Sequence, residues 1–122
     1  MNKKVLIIDD DPNNIFALSA VLNAKGFPAK GVSDVQEALA LLRNDASFGI
    51  ILIDMMMPGM DGYDAMPLLR SDACCTKMPI IAVTAQAMAG DREKCLAAGA
   101  DDYISKPVDV DRLLTMLNQF MR

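Results

Sequence analysis

The hydrophobic residues of the chain fall into short unbroken runs that alternate with stretches of helical spacing. Unbroken runs cover residues 5–8, 50–53 and 80–83, and each leads into an aspartate or a threonine. Such runs are typical of strands that are buried on both faces of a sheet. Weaker strand patterns cover residues 28–32 and 103–105, so the chain is predicted to contain five strands.

Three of the stretches between the strands carry a regular apolar stripe and a helix-start signal. Asp11 and Pro12 predict the N-cap and first position of one helix, Ser33 and Gln36 form a capping-box pattern, and Asp109 predicts a third N-cap. The apolar stripes that follow these signals are Ile15, Leu18 and Leu22; Val35, Ala38, Leu39 and Leu42; and Val110, Leu113, Leu114, Leu117 and Met121. These stripes predict helices that pack one face on a sheet.

Two further helices are less regular. Asp61 is a predicted N-cap for a helix that continues to about Arg70, and Pro67 is expected to kink or shorten it because proline lacks a backbone N–H. Residues 87–98 predict a helix with few large apolar residues that ends at Gly99. We hypothesise that this helix has low local stability and rearranges when the protein is modified.

The alternation of strands and helices predicts a parallel sheet that is covered on both faces by right-handed crossovers. With 122 residues the chain has the size of one domain. The predicted fold is therefore a five-stranded, doubly wound α/β domain.

The composition excludes several functional classes. A net charge of −4 argues against direct nucleic-acid binding, and neither a membrane span nor a signal peptide is recognisable. The three cysteines, of which Cys74 and Cys75 are adjacent, fit thiols in a reducing compartment, so a cytoplasmic location is expected. Histidine is absent, which excludes catalytic triads that depend on it.

Chemically useful side chains follow the strong strands. Asp9 and Asp10 follow the first, Asp54 ends the third, Thr84 ends the fourth, and Lys106 follows the last. Because parallel strands place their carboxyl ends on one edge, these side chains are expected to converge there. Clustered carboxylates repel each other unless a cation neutralises them, and an all-oxygen ligand set favours Mg²⁺. With an ammonium and a hydroxyl nearby, the cluster predicts a site for a phosphoryl group.

The whole chain resembles the receiver domain of two-component response regulators. The resemblance rests on five motifs in order: IIDDD at 7–11, IDMMMPGMDG at 53–62, AVTA at 82–85, GADDY at 99–103 and KP at 106–107. It implies a flavodoxin-like strand order of 2-1-3-4-5 and a single receiver domain spanning residues 1–122. We interpret Asp101 and Asp102 within the fourth motif as turn residues.

The resemblance also implies the roles of the acidic residues. Asp54 would be the phosphate acceptor. Asp9 and Asp10 would bind Mg²⁺ together with Asp54 and the backbone carbonyl of Met56, and Mn²⁺ is an alternative ion. Met56 would also influence how fast the phosphoryl group is hydrolysed.

Further roles are carried over to residues around the acceptor. Thr84 would hydrogen-bond a phosphoryl oxygen, Lys106 would pair with the phosphoryl group, and Tyr103 would be a switch residue whose rotamer follows Thr84. The peptide bond before Pro107 is expected to be cis. Gln86, like Met56, would influence the lifetime of the phosphoryl group.

The partners follow from the same resemblance. Because the chain has no histidine, the phosphoryl group would come from a histidine kinase or a His-phosphotransfer protein. The domain would pass on the signal by a changed binding surface, as a monomer or weak homodimer, and would not be a turnover enzyme. No residues after Arg122 form an output domain, so the chain is expected to be either a stand-alone regulator or a domain of a larger protein such as a hybrid kinase.

Two other functions remain open at this point. A phosphohydrolase of the haloacid dehalogenase type also uses an aspartyl phosphate, but the sequence Asp9-Asp10-Asp11-Pro12-Asn13 lacks the final Thr or Val of its motif. An interaction domain with the same fold but without phosphorylation is the second alternative. Such domains usually lose an acid, the threonine or the lysine, and none is lost here.

Overall fold

A computed structural model of the chain describes residues 3–57, 62–85 and 90–121. Strands and helices alternate in the order β1 Lys4–Ile8, α1 Pro12–Ala24, β2 Ala29–Val32, α2 Val35–Asn44, β3 Phe48–Asp54, α3 Gly62–Ser71, β4 Ile80–Thr84, α4 Asp91–Ala98, β5 Asp102–Ser105 and α5 Val110–Phe120. Within these ranges, no helix combines the length and the apolar character that crossing a membrane requires.

The five strands form one parallel sheet in the order β2-β1-β3-β4-β5, which confirms the predicted fold and strand order. Ile8 pairs with Ile53, Asp54 with Val83, and Thr84 with Ser105. The ends of β1, β3, β4 and β5 therefore lie side by side. We call this side the carboxyl edge and the opposite side, where the strands begin, the amino edge.

The sheet separates two hydrophobic layers. Ile51 and Ile53 of β3 pack with α2, α3 and α4, whereas Ile50 and Leu52 pack with α1 and α5. Because successive strand residues point to opposite faces, a continuous apolar run fills both layers. The residues of the predicted α2 stripe are all buried.

Two of the three predicted helix starts have the expected cap, and one is shifted. Asp11 accepts a hydrogen bond from the Asn13 N–H at 2.9 Å, and Asp109 caps α5 by accepting from the Arg112 N–H at 3.3 Å. The capping box at Ser33 was wrong, because the N-cap of α2 is Asp34, whose carboxylate accepts from the Glu37 N–H at 2.8 Å. Asp34 has the extended backbone that an N-cap requires, and its side chain reaches the third helical N–H.

The less regular helices differ from expectation in their bounds. Pro67 lies inside α3 and does not shorten it, because the helix extends to Ser71. The side chain of Pro67 is exposed. The predicted cap Asp61 and the predicted helix start at residue 87 lie outside the described residues. In α4, Cys95 is the buried residue, in agreement with the thin apolar face expected from the sequence.

Candidate functional site

Three carboxylates meet at the carboxyl edge. Asp9 and Asp10 directly follow β1, and Asp54 is the last residue of β3. One carboxylate oxygen of each lies within 4.8 Å of the others. Asp9 and Asp54 are only 6% and 5% exposed, whereas Asp10 is exposed. The strand ends thus bring together the acids that the sequence placed there.

The surroundings of Asp9 disfavour the ionised form of its carboxyl group. Burial raises the pKa of this carboxyl above its ordinary value, and the negative charges of Asp54 and Asp10 act in the same direction. The Asp11 N–H, which donates to Asp9 at 2.9 Å, and the Lys106 ammonium oppose the rise. A raised pKa means that the ionised form is disfavoured here unless a further positive charge is supplied.

Lys106 provides a positive charge beside the acceptor candidate. Its Nζ lies 3.2 Å from Asp54 Oδ2, and its backbone N–H donates to the Thr84 carbonyl at 2.7 Å. The Lys106–Pro107 peptide bond is cis. One ammonium offsets only part of the charge of three carboxylates, so the site keeps a negative excess that suits a cation.

The loop after β3 orients the carboxylate of Asp54. The Met56 N–H donates to Asp54 Oδ1 at 3.0 Å, and the Gly62 N–H donates to the Met55 carbonyl at 3.3 Å. A Cβ at Gly62 would collide with the buried Met55 side chain, so glycine permits this close approach of α3 to the loop. Residues 58–61 and Gln86, which belong to the predicted motifs, lie outside the described residues.

Thr84 and Tyr103 lie on neighbouring strands at different distances from the edge. Thr84 ends β4 and is 3% exposed, one position beyond the Val83 that pairs with Asp54. Tyr103 pairs with Ala82, and side-chain alternation places it on the same face of the sheet as Thr84. It is half-buried against the layer of α2, α3 and α4. Tyr103 therefore lies behind the edge and on the side of α4.

A cavity of about 310 Å³ adjoins the carboxylates, and no local sequence pattern predicts it. Asp9, Asp54 and Lys106 line one part of it, and its remaining wall is mainly apolar. Asn14 of α1 and Val108 of the segment between β5 and α5 contribute to this wall. Their meeting depends on how α1 packs beside that segment, which a local pattern does not specify.

The arrangement is chemically suited to a hard cation and a phosphoryl group. The clustered donors are carboxylate oxygens without nitrogen or sulfur, which is the donor set that Mg²⁺ prefers. The residues present therefore fit Mg²⁺.

Sequence comparison identifies the family. Residues 5–118 match the family described as the response regulator receiver domain. The chain is 34% identical over 122 residues to the response regulator PleD of Caulobacter vibrioides, covering all of this chain and 27% of PleD. It is 33% identical over 115 residues to PilH of Pseudomonas aeruginosa, covering 94% of each protein. The chain thus spans about a quarter of PleD but nearly all of PilH.

A solved structure agrees with this result. The receiver domain of the sensor histidine kinase PA1611 of Pseudomonas aeruginosa, solved with magnesium coordinated in its active-site cleft, is 33% identical, with a TM-score of 0.86 over 99% of this chain and 98% of that one. The match decides against the haloacid dehalogenase alternative. This chain belongs to the response regulator receiver domain family, whose members receive phosphoryl groups in two-component and phosphorelay signalling.

Proposed function

We propose that Asp54 accepts a phosphoryl group from a phosphohistidine of a partner protein, and that the domain then changes the surface it offers to a downstream protein. The observation that carries this proposal is the position of Asp54, which lies within 4.8 Å of two other carboxylates and 3.2 Å from the Lys106 ammonium. A buried carboxylate in this setting is a nucleophile with a cation site and an amine beside it.

Asp9, Asp10 and Asp54, together with the Met56 carbonyl, would hold Mg²⁺, and Mn²⁺ could occupy the same oxygen donors. When bound, the ion supplies positive charge that lowers the repulsion between the carboxylates and the incoming phosphoryl oxygens. The magnesium in the receiver domain of PA1611 supports this assignment. The negative excess around Asp9 supports it independently.

The chain's own residues carry out the transfer. One oxygen of Asp54 forms a bond to phosphorus while the bond between phosphorus and the imidazole nitrogen breaks, and the imidazole keeps the electron pair. A carboxylate attacks without losing a proton, so the attack needs no general base. The Lys106 ammonium, 3.2 Å from Asp54 Oδ2, offsets part of the negative charge that the two reacting groups bring together. After transfer, the Lys106 ammonium pairs with the phosphoryl oxygens, and the Thr84 hydroxyl donates to one of them.

The signal would then leave the site through Thr84 and Tyr103. Their position on one face of neighbouring strands supports this coupling, because a movement of Thr84 opens or closes space on the side where Tyr103 packs. The reaction happens once per modified Asp54, so the domain catalyses only its own phosphorylation and dephosphorylation. The product is the phosphorylated domain itself and not a compound that the domain releases.

The partner that donates the phosphoryl group is a histidine kinase or a His-phosphotransfer protein, and residues 1–122 act as one receiver domain, as a monomer or weak homodimer. Cys74, Cys75 and Cys95 are free thiols, which supports a reducing, cytoplasmic setting. Burial raises the pKa of Cys74 to about 12 and also raises that of Cys75, so both stay protonated at neutral pH.

The proposal is tested by incubating the protein with Mg²⁺ and acetyl phosphate and measuring intact mass. Wild type should gain one phosphoryl group, Asp54→Asn should gain none, and a chelator should prevent the gain. Asp45→Asn is the matched control, since Asp45 also pairs with a lysine but lies at the amino edge.

Lys106→Ala tests the contribution of the ammonium beside Asp54 in the same assay. It should slow incorporation by about 100-fold, the typical effect of removing one preorganised electrostatic contact from a transition state. Equal incorporation by wild type and Asp54→Asn would refute the proposal. No incorporation by wild type from acetyl phosphate or from a phosphohistidine donor would favour the unphosphorylated interaction domain.

A further inference from the structure

Cys74 and Cys75 form a pair of thiols in segment 72–79, between α3 and β4. Their Sγ atoms are 3.4 Å apart and therefore in contact, although the two residues are not linked by a disulfide. Cys75 is fully buried, whereas Cys74 is half-buried. One thiol can thus be reached from the surface, and the second lies in contact with it.

Hydrogen bonds within the turn hold the two cysteines in place. Asp72 Oδ1 accepts from the Cys74 N–H at 3.1 Å and from the Cys74 thiol at 2.9 Å. The Cys75 N–H donates to the Asp72 carbonyl at 3.0 Å, and the Cys75 carbonyl accepts from Arg70 Nη1 at 3.0 Å. Because the turn is already ordered, a ligand that binds both sulfurs has little conformational freedom to remove.

A cavity of about 480 Å³ adjoins the half-buried thiol at the amino edge. Cys74 lines this cavity together with the apolar side chains of Phe48, Met78 and Phe120. The polar part of the lining comes from Lys3, Thr76 and Lys77. An organic group attached to an atom that Cys74 binds can therefore pack against an apolar wall.

The separation of the two sulfurs selects the geometry of an atom that binds both. With bonds of about 2.3 Å, the length of a zinc–sulfur bond, sulfurs 3.4 Å apart define an angle of about 95° at the bridging atom. A soft ion in linear two-coordination would need about 4.6 Å between the sulfurs, which is twice that bond length. Trivalent arsenic is pyramidal because it keeps a lone pair, and its bond angles near a right angle fit the thiols as they stand.

The protonation state of the thiols favours the same choice. Burial raises the pKa of Cys74 to about 12 and raises that of Cys75, so both sulfurs carry a proton at neutral pH. A divalent metal ion would have to displace both protons into solution, which these pKa values oppose. A trivalent arsenical carries hydroxyl groups that leave as water with the thiol protons, so its binding releases no net proton.

We propose that Cys74 and Cys75 form a binding site for organic trivalent arsenicals, in which both sulfurs bond to one arsenic atom and the organic group packs in the cavity at the amino edge. The Sγ of Cys74 forms a bond to arsenic while one arsenic–hydroxyl bond breaks, and the hydroxyl leaves as water with the thiol proton. Cys75 then displaces a second hydroxyl in the same way. Arsenic stays trivalent throughout, so neither an oxidant nor a reductant is needed. This site is independent of the phosphoryl chemistry proposed at the carboxyl edge.

The site is tested by incubating the reduced full chain with phenylarsine oxide in the presence of excess glutathione and measuring intact mass. The wild type should gain one phenylarsenic group in place of two hydrogens, because a ring with two arsenic–sulfur bonds resists exchange with a monothiol. Dithiothreitol, which offers two thiols, should release the group. A wild type that retains no phenylarsenic group would refute the proposal.

Cys74→Ser and Cys95→Ala distinguish the paired thiols from a buried thiol outside the pair. Cys95 is the matched control, because it is also fully buried but its Sγ faces the Tyr63 hydroxyl at 3.7 Å. Cys74→Ser keeps a hydroxyl that can donate to Asp72 and should lower the apparent affinity about 100-fold, since only one sulfur of the pair remains. Cys95→Ala should bind as the wild type does.

Equal affinity of Cys74→Ser and the wild type would refute the paired site, and so would a loss of affinity in Cys95→Ala alone. If Cys74→Ser does not fold, proteolysis of the modified wild type followed by mass spectrometry provides the same readout. The phenylarsenic group should then be found on the peptide that contains Cys74 and Cys75. Its presence on the peptide that contains Cys95 would refute the proposal.

The dependence of the initial rate on urea distinguishes the preformed site from thiols of the unfolded chain. Below the unfolding transition, a rate that reflects entry through the cavity should stay within about twofold, whereas modification of the unfolded chain would increase with the unfolded population. A rate that follows the unfolded population would refute the preformed site.

Discussion

The two edges of the sheet use the same residue types in opposite ways. At the amino edge, each of three aspartates has its own cation: Asp45 pairs with Lys4, Asp72 with Arg43 and Asp101 with Arg70. At the carboxyl edge, Asp9, Asp10 and Asp54 lie within 4.8 Å of one another, and Lys106 pairs with Asp54. These three pairs at the amino edge are each electrostatically balanced, whereas the carboxylate cluster at the carboxyl edge keeps an excess of negative charge.

The pKa values follow the same division. A hydrogen bond from Ser47 lowers the pKa of Asp45 to about 2, and hydrogen bonds from Cys74 and Arg43 lower that of Asp72 to about 2. Burial raises the pKa of Asp9. The difference teaches that the amino edge contributes to stability, while the carboxyl edge gives up stability to create a site that a cation and a phosphoryl group can complete.

The largest expected effect is a loss of stability when Arg70 at the amino edge is replaced. Arg70→Met should lower the free energy of unfolding by about 3 kcal/mol. Arg70 donates to the carbonyls of Met78 at 2.7 Å and Gly99 at 2.7 Å, and hydrogen bonds from a charged donor contribute about 1.5–3 kcal/mol each and are only partly additive. Arg43→Met should cost less than about 1 kcal/mol, as expected for an exposed ion pair. Urea denaturation of both variants measures the difference, and similar losses would contradict the larger contribution of the Arg70 hydrogen bonds to stability.

The second effect is the stabilisation that Mg²⁺ provides when it binds at the carboxyl edge. Mg²⁺ at a hundredfold excess over its Kd should stabilise the wild type by about 2.7 kcal/mol, because the ion binds the folded state and not the unfolded chain. Asp9→Asn should lose most of this gain, whereas Asp72→Asn should keep it. Thermal unfolding with and without Mg²⁺ provides the measurement, and an equal gain in Asp9→Asn would remove Asp9 from the cation site.

A smaller effect concerns the same variant without metal. Asp9→Asn keeps an oxygen that can accept the Asp11 N–H but removes a buried negative charge, so it should be about 1 kcal/mol more stable than wild type in a chelator at neutral pH. Since the pKa of Asp9 is raised in the folded state, wild-type stability falls as the pH rises from 3.8 through the raised value. The advantage of the variant should therefore disappear in acid; an advantage that is independent of pH would point to a packing effect.

The smallest expected effect is the loss of stability in acid that comes from Asp45 and Asp72 at the amino edge. The pKa values of Asp45 and Asp72 fall from 3.8 to about 2 on folding, so their contribution is present above pH 3.8 and is lost as the pH falls toward 2. Asp72→Asn should therefore lose stability less steeply than wild type in this range. Melting temperatures measured across it provide the check, and parallel curves would mean that Asp72 makes no net contribution.

Much of the fold was predictable because its signals are local. The apolar runs, the helix stripes and the caps Asp11 and Asp109 act within a few residues, and the structure confirms the runs, both caps and the α2 stripe. In α5 it buries Leu113 and Leu117 of the predicted stripe together with Met116. The cap of α2 was misplaced by one residue, because Ser33 and Asp34 both favour such a position and only backbone geometry distinguishes them. The turn prediction is wrong for Asp102, which begins β5, whereas Asp101 lies in the bend before this strand and also accepts from the Ile80 N–H at the start of β4.

The sequence by itself determined which chemical groups stand at the strand ends, since a buried parallel strand must finish where its apolar run finishes. The tertiary structure alone decided how those groups combine. The contact between Lys106 and Asp54 depends on strand order, and the bond from Arg70 to Gly99 joins residues 29 positions apart. Side-chain convergence over such separations follows from the packing of helices on the sheet, and a local sequence pattern carries no information about it.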